Sequence, residues 1–186
     1  MQWNRPDQIQ PRQFVCGYCG DKVASKEGYV ASSTPDGHQA YVYICPGCTK
    51  PSYIHSHEQV PTVAPGNEVA HLPTDIAALY LEARRSAGAG ANTAAVLACR
   101  KLLMNIAVAQ GAKGGESFLS YVEYLASAGY VPPNGRTWVD HIRKKGNEAT
   151  HEIKLMAPAD AAELIAFAEM LLKFIFEFPA KVPSTP

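Results

Sequence analysis

Two groups of residues in this chain have the types and spacing to do chemistry. The first lies in the stretch IRKKGNEATHE, residues 142–152. In a helix, residues four apart share a face, which stacks Arg143, Asn147 and His151 in one polar ladder. That ladder combines a fixed positive charge, an amide that donates and accepts, and an imidazole that titrates near neutrality. Such groups can grip a phosphate and move a proton beside it. The same residues can also pin a helix junction. Gly146 weakens a helix by about 1 kcal/mol relative to alanine, and Asn147 is able to cap a new helix with Glu148 and Glu152 in its early turns.

The second group is the cysteines. Four of the five fall into two CxxC pairs, Cys16/Cys19 and Cys45/Cys48. A CxxC turn bends the backbone so that two thiolates reach one metal ion, and Gly20 and Gly47 supply permissive backbone beside each turn. The expectation is a structural site holding one Zn2+ per chain on four thiolates. Two redox-active CxxC motifs or an iron–sulfur site are the alternatives, but no thioredoxin-like βαβ pattern follows either pair. His55 and His57 read as strand-end residues and His38 as a turn residue.

The elements that must position these groups divide the chain into four parts: a zinc ribbon at 1–60, a linker or strap at 61–73, a helical bundle at 74–180 and a tail at 181–186. In the ribbon, Gly28 to Ala31 and Gln39 to Ile44 alternate with aromatic and β-branched residues. Thr34-Pro35-Asp36-Gly37 between them is a turn signal, so a β-hairpin carries one knuckle near each end. Tyr53 and Ile54 begin a further strand, whereas the residues before Phe14 read as irregular. Tyr18, Tyr29, Tyr41, Tyr43 and Tyr53 either stack on bases or cover a thin sheet.

Beyond PTVAPGNEVAHLP the period becomes helical. Thr74 is positioned to cap a first helix with Ile76, Leu79, Tyr80 and Ala83 on its apolar stripe, ended by Gly88 and Gly90. A second helix starts at Asn92 or Thr93 and is apolar almost all round, so it should be central, with Cys99 a core thiol. Arg100 and Asn105 interrupt its apolar surface and call for polar partners. A third helix covers Phe118 to Ala128. A fourth begins at Thr137 or Trp138, with Trp138 and Ile142 facing inward. Pro158 opens the last helix, which is expected to stop before Pro179. The fold class is therefore α+β and modular: a small β ribbon followed by an all-α antiparallel bundle.

Apolar content of 47% excludes wholesale disorder, and 17 basic residues balance 17 acidic ones, so bulk charge does not draw the chain to nucleic acid. The first residues lack the apolar core of a signal peptide, and no run of residues reads as a membrane span. A cytoplasmic protein is the expectation.

The stretches ACRKLLMNIAVAQGA, FLSYVEYLASAGYVPP, WVDHIRKKGNEATHEI and FAEMLLKFIFEFP resemble the bacterial family catalogued as domain of unknown function 4145. That family is similar to the HEPN superfamily of helical bundles, many of them ribonucleases of toxin–antitoxin, restriction or phage-defence systems. The superfamily signature is an arginine, usually followed by a polar residue, with a histidine four to six positions on. By resemblance His151 matches the histidine and Arg143 is the nearest arginine; seven residues separate them, and Lys144 follows the arginine. Lys145 falls within the usual interval, but an ammonium lacks the paired donors of a guanidinium. The resemblance also implies a homodimer with facing clefts.

Two functions follow. In one, the protein is a metal-independent ribonuclease: Arg143 holds the scissile phosphate, His151 is the general base or acid, Asn147 orients them, and Lys144, Lys145, Arg136 and Lys113 form a basic rim. In the other, it is a non-catalytic adaptor whose bundle dimerises, whose ladder is structural and whose ribbon recognises nucleic acid or protein. No glycine-rich phosphate loop or cofactor fingerprint points to a metabolic enzyme.

Overall fold

The structure is a computed structural model that describes residues 2–32, 34–132, 135, 137–142, 144 and 155–182. The chain divides into two compact units, Met1–Ala64 and Pro65–Pro186, and its architecture is α+β.

The first unit is a five-stranded antiparallel meander, ordered β1-β2-β3-β4-β5. Its strands are β1 Asp7–Val15, β2 Lys22–Ala31, β3 Ala40–Ile44, β4 Pro51–His55 and β5 Glu58–Val60. The β2–β3 hairpin pairs Gly28 with Tyr43 and Ala31 with Ala40. Its loop holds the turn expected from Thr34-Pro35-Asp36-Gly37, where the Gly37 amide donates to Thr34 O at 3.0 Å. Because side chains alternate across a strand, Tyr41 and Tyr43 share one face with Ile54, and Tyr43, Ile54 and Phe14 are buried together there.

β1 departs from the irregular start expected of DQIQPRQFV. Pro11 and the polar residues give this segment little strand propensity. It is an edge strand, where proline is tolerated, and its register with β2 shifts between Gln8 and Arg12. Pairing to β2, rather than local preference, makes it a strand.

The second unit is helical: α1 Thr74–Gly88, α2 Asn92–Ala109, α3 Phe118–Ser127, α4 over 137–142, and α5 Pro158–Leu172. Helix α2 packs against α1, α3 and α5 and buries Val96, Cys99, Leu102, Leu103 and Ile106. By length and composition it is the one helix among the described residues long and apolar enough to cross a membrane; here it is the core helix. Trp138 packs edge-on against Phe167 at 5.0 Å and Ile142 is fully buried, as their spacing predicts.

Two helix ends differ from expectation. The cap of α1 is Pro73, with no side-chain hydrogen bond, and Thr74 is already helical. The last helix does not stop before Pro179. It passes through a π-turn, Lys173–Glu177, into α6, Phe178–Lys181. The irregular turn restarts the hydrogen-bond ladder, so Pro179 occupies a first-turn position, where a missing N–H costs little.

Residues ahead of α1 are tied to the last helix. The Asn67 backbone amide and Nδ2 donate to the Glu169 carboxylate at 2.8 and 3.0 Å. Eight residues on, Glu177 accepts from the Ala70 amide at 3.1 Å. Arg84 donates to the carbonyls of Pro65 and Gly66.

Candidate metal centre

The two CxxC knuckles are built by one backbone plan used twice. In the first, which joins β1 to β2, the Gly20 amide donates to Cys16 O at 2.8 Å and the Cys16 amide to Asp21 O at 2.9 Å. In the second, which joins β3 to β4, Thr49 donates to Cys45 O at 2.9 Å and Cys45 to Lys50 O at 3.0 Å. The residue after each second cysteine turns the chain through the left-handed region: Gly20 at φ 77 and Thr49 at φ 59. Gly47 was expected to supply that freedom and does not. Its backbone has no positive φ, and a Cβ there would make only ordinary contacts. The strained position falls to Thr49 instead.

Antiparallel pairing brings the knuckles together at one end of the sheet. The Sγ atoms of Cys16 and Cys48 lie 3.7 Å apart and those of Cys19 and Cys45 3.8 Å apart. All four lie within 4.8 Å of one another. A disulfide needs sulfurs about 2.05 Å apart, so these are not bonded pairs. Tetrahedral coordination with metal–sulfur bonds of about 2.3 Å places ligand sulfurs about 3.8 Å apart, which is the spacing of the Cys16–Cys48 and Cys19–Cys45 pairs. Cys16 and Cys45 are buried, and Cys19 and Cys48 are partly exposed.

The surroundings act unequally on the sulfurs of Cys16, Cys19 and Cys48. Burial raises the Cys16 thiol, but the amides of Cys19 and Tyr18 and the neighbouring thiols outweigh it, so its pKa is lowered. Burial keeps Cys19 and Cys48 raised, even though the amides of Asp21 and Lys50 point at their sulfurs. Four thiolates cannot share this space without a positive ion to offset their repulsion. The Lys50 ammonium lies 4.9 Å over the Tyr18 ring, linking the two knuckles from outside. Trp3 Nε1 donates to Thr49 O at 2.7 Å. Neither Lys50 nor Trp3 carries a motif that announces these roles.

The other candidate residues fare differently. Arg143, Asn147 and His151, with Lys145 and Arg136, lie outside the described residues. Lys144 is helical and exposed. Arg100 lies over the Phe118 ring at 4.5 Å, and burial lowers its pKa. Asn105 is exposed rather than turned into the bundle, and donates to Lys101 O one turn back. Cys99 is a core thiol, pushed up to about 12 by burial. His55 meets Asp36 at 3.0 Å near the hairpin loop.

Compared with known families, the chain matches the model described as Domain of unknown function (DUF4145), over residues 81–185. No curated protein matches it, and no solved structure does.

Proposed function

The chain belongs to the DUF4145 family, whose function is unknown, and from that premise we propose that it is a zinc-binding adaptor. In this reading one Zn2+ per chain holds the strand unit together and displays it as a recognition module for nucleic acid or protein. The observation that carries it is the four-sulfur set: thiolate ligands at tetrahedral spacing suit zinc. Four protein ligands also close its coordination sphere, which is the pattern of a structural rather than a catalytic site. The helical unit, through its resemblance to HEPN bundles, pairs with a second copy, giving a cytoplasmic homodimer with two ribbons.

The competing reading is an RNA-cleaving effector of a conflict system, with Arg143, Asn147 and His151 at its site and Lys144, Lys145 and Arg136 around it. It draws its support from the family resemblance and from the chemistry of those three side chains.

An RNA-degradation assay on the wild type and on His151→Ala, with thermal melts of both, separates the two. The adaptor reading predicts no cleavage by either protein. Cleavage by the wild type that is lost in a His151→Ala protein of unchanged melting temperature would overturn it and assign the ribonuclease.

A further inference from the structure

The four sulfurs of the metal centre are not equally accessible. Cys16 and Cys45 are buried, whereas Cys19 and Cys48 are partly exposed. Each exposed sulfur has a buried one of the opposite knuckle beside it: Cys48 is 3.7 Å from Cys16, and Cys19 is 3.8 Å from Cys45. A sulfur bound to a metal ion is already a thiolate, so access decides which of the four an oxidant reaches first. The exposed member of each pair is the one attacked, and the buried member is placed to resolve it. To form a disulfide, each pair has to close by about 1.7 Å, shared between two side chains.

Groups other than sulfur also hold the knuckles side by side. The carbonyl just before Cys16, on Val15, accepts from Gln59 Nε2 of β5 at 2.7 Å. The one just before Cys45, on Ile44, accepts from Ser25 Oγ of β2 at 2.7 Å. The Lys50 ammonium over the Tyr18 ring spans the two turns. None of these contacts uses a sulfur, so they keep the cross-knuckle pairs opposed while bonds among the sulfurs change.

We propose that the metal centre is a redox-sensitive switch, in which a peroxide converts the four thiolates into two cross-knuckle disulfides, Cys16–Cys48 and Cys19–Cys45, and discharges the zinc. The inference rests on the zinc reading of the four sulfurs and adds how that site is emptied and refilled. In each pair the exposed thiolate attacks a peroxide oxygen: an S–O bond forms, the O–O bond breaks, and the leaving hydroxide takes up a proton to become water. The buried thiolate then attacks the sulfenic sulfur: an S–S bond forms, the S–O bond breaks, and a second hydroxide leaves as water. Two electrons pass from sulfur to peroxide for each disulfide, and the zinc ion, its ligands consumed, is released at unchanged charge. The links join residues 32 and 26 positions apart, so the two turns stay covalently joined and the sulfurs stay paired for reduction. A disulfide inside either CxxC turn would leave the knuckles unconnected.

The test treats the zinc-loaded full-length protein with hydrogen peroxide, follows zinc release with a chromogenic chelator and maps disulfides by mass spectrometry of non-reduced peptides. The expected result is loss of the zinc in step with formation of Cys16–Cys48 and Cys19–Cys45. Dithiothreitol followed by Zn2+ should restore four thiols and the bound metal. Reduced protein stripped of metal and unfolded in guanidinium before oxidation should instead favour Cys16–Cys19 and Cys45–Cys48, because short loops cost least to close in an unfolded chain. Disulfides within the CxxC turns of the loaded protein, links between chains, or oxidation past the sulfenic stage overturn the proposal. So does zinc retained at peroxide concentrations that oxidise glutathione. A chain that takes up no zinc defeats the zinc reading, and with it the metal half of this inference, while the disulfide map still decides the pairing. Zinc bound and then released with any other pairing defeats the switch alone.

Discussion

In the strand unit, Phe14, Tyr43 and Ile54 share their buried cluster with Cys16 and Cys45. In the helical unit, Leu102 and Ile106 of α2 share a buried cluster with Phe118, Leu164 and Phe167, and Cys99 is the one thiol in that cluster. The difference shows where each unit draws its stability. A small sheet buries little apolar surface to offset the entropy of ordering its chain, and the cysteines able to hold a metal ion are part of its core. The helical unit has an apolar centre sufficient for the purpose and leaves its polar groups for ties and surfaces.

The sharpest way to break this comparison is to remove a ligand. Metal binding contributes on the order of 10 kcal/mol to a four-thiolate module, so Cys45→Ser should unfold residues 1–64 while the helical unit stays folded. Limited proteolysis followed by mass spectrometry should show cuts within 1–64 and protection of α1 to α5. Loss of helical content together with the ribbon would show that the two do not fold as separate sources of stability.

The converse change is Phe167→Ala. Phe167 is fully buried and supports Trp138, so truncation should cost about 3–5 kcal/mol. The expected result is a lowered melting temperature for the helical transition with the metal content of the chain unchanged.

A smaller effect tests the tie between residues 65–72 and the last helix. Glu169→Ala strands the Asn67 amide and should cost about 1–3 kcal/mol. Burial would raise the Glu169 carboxyl, but the Lys173 ammonium and the two Asn67 donors outweigh it and hold it below the usual range. At Glu177 the Lys181 ammonium and the Ala70 amide have the same effect. A depressed folded-state pKa means stability that is complete above the ordinary glutamate value of about 4.3 and lost as pH falls through the lower folded values. Melting temperature should therefore decline as pH drops below that point, and Glu169→Gln should flatten the decline. An unaltered pH profile in that variant would remove Glu169 from the tie.

What could be read from residue order follows the same division. The CxxC pairs, the β2–β3 hairpin and the core face of α2 are local patterns, set by spacings of a few residues, and the structure keeps them. β1 was illegible because DQIQPRQ has no strand alternation of its own, and its partner strand supplies the reason for its shape. Thr49 hid its role because threonine rarely takes positive φ; only the parallel with Gly20 in the other knuckle gives it away. The tie from Asn67 to Glu169 spans 102 residues, and neither end has a pattern that names the other. Gly66 was equally silent. At φ 76, a Cβ on it would lie 2.7 Å from Ile165 Cγ2 and 2.9 Å from Tyr80 Oη, a closeness visible only once α1 and α5 are in place. The Arg143, Asn147 and His151 ladder, legible as chemistry in the sequence, lies outside the described residues.

The central claim is that Cys16, Cys19, Cys45 and Cys48 form one zinc site that holds the strand unit together. Native mass spectrometry with elemental analysis, on protein purified without added metal, tests it most directly. The account predicts one zinc per chain, absent from Cys45→Ser, with unfolding of residues 1–64 when a chelator removes the ion. A wild-type chain that is fully folded with four metal-free thiols, or that keeps its ribbon after complete removal of the metal, would contradict it.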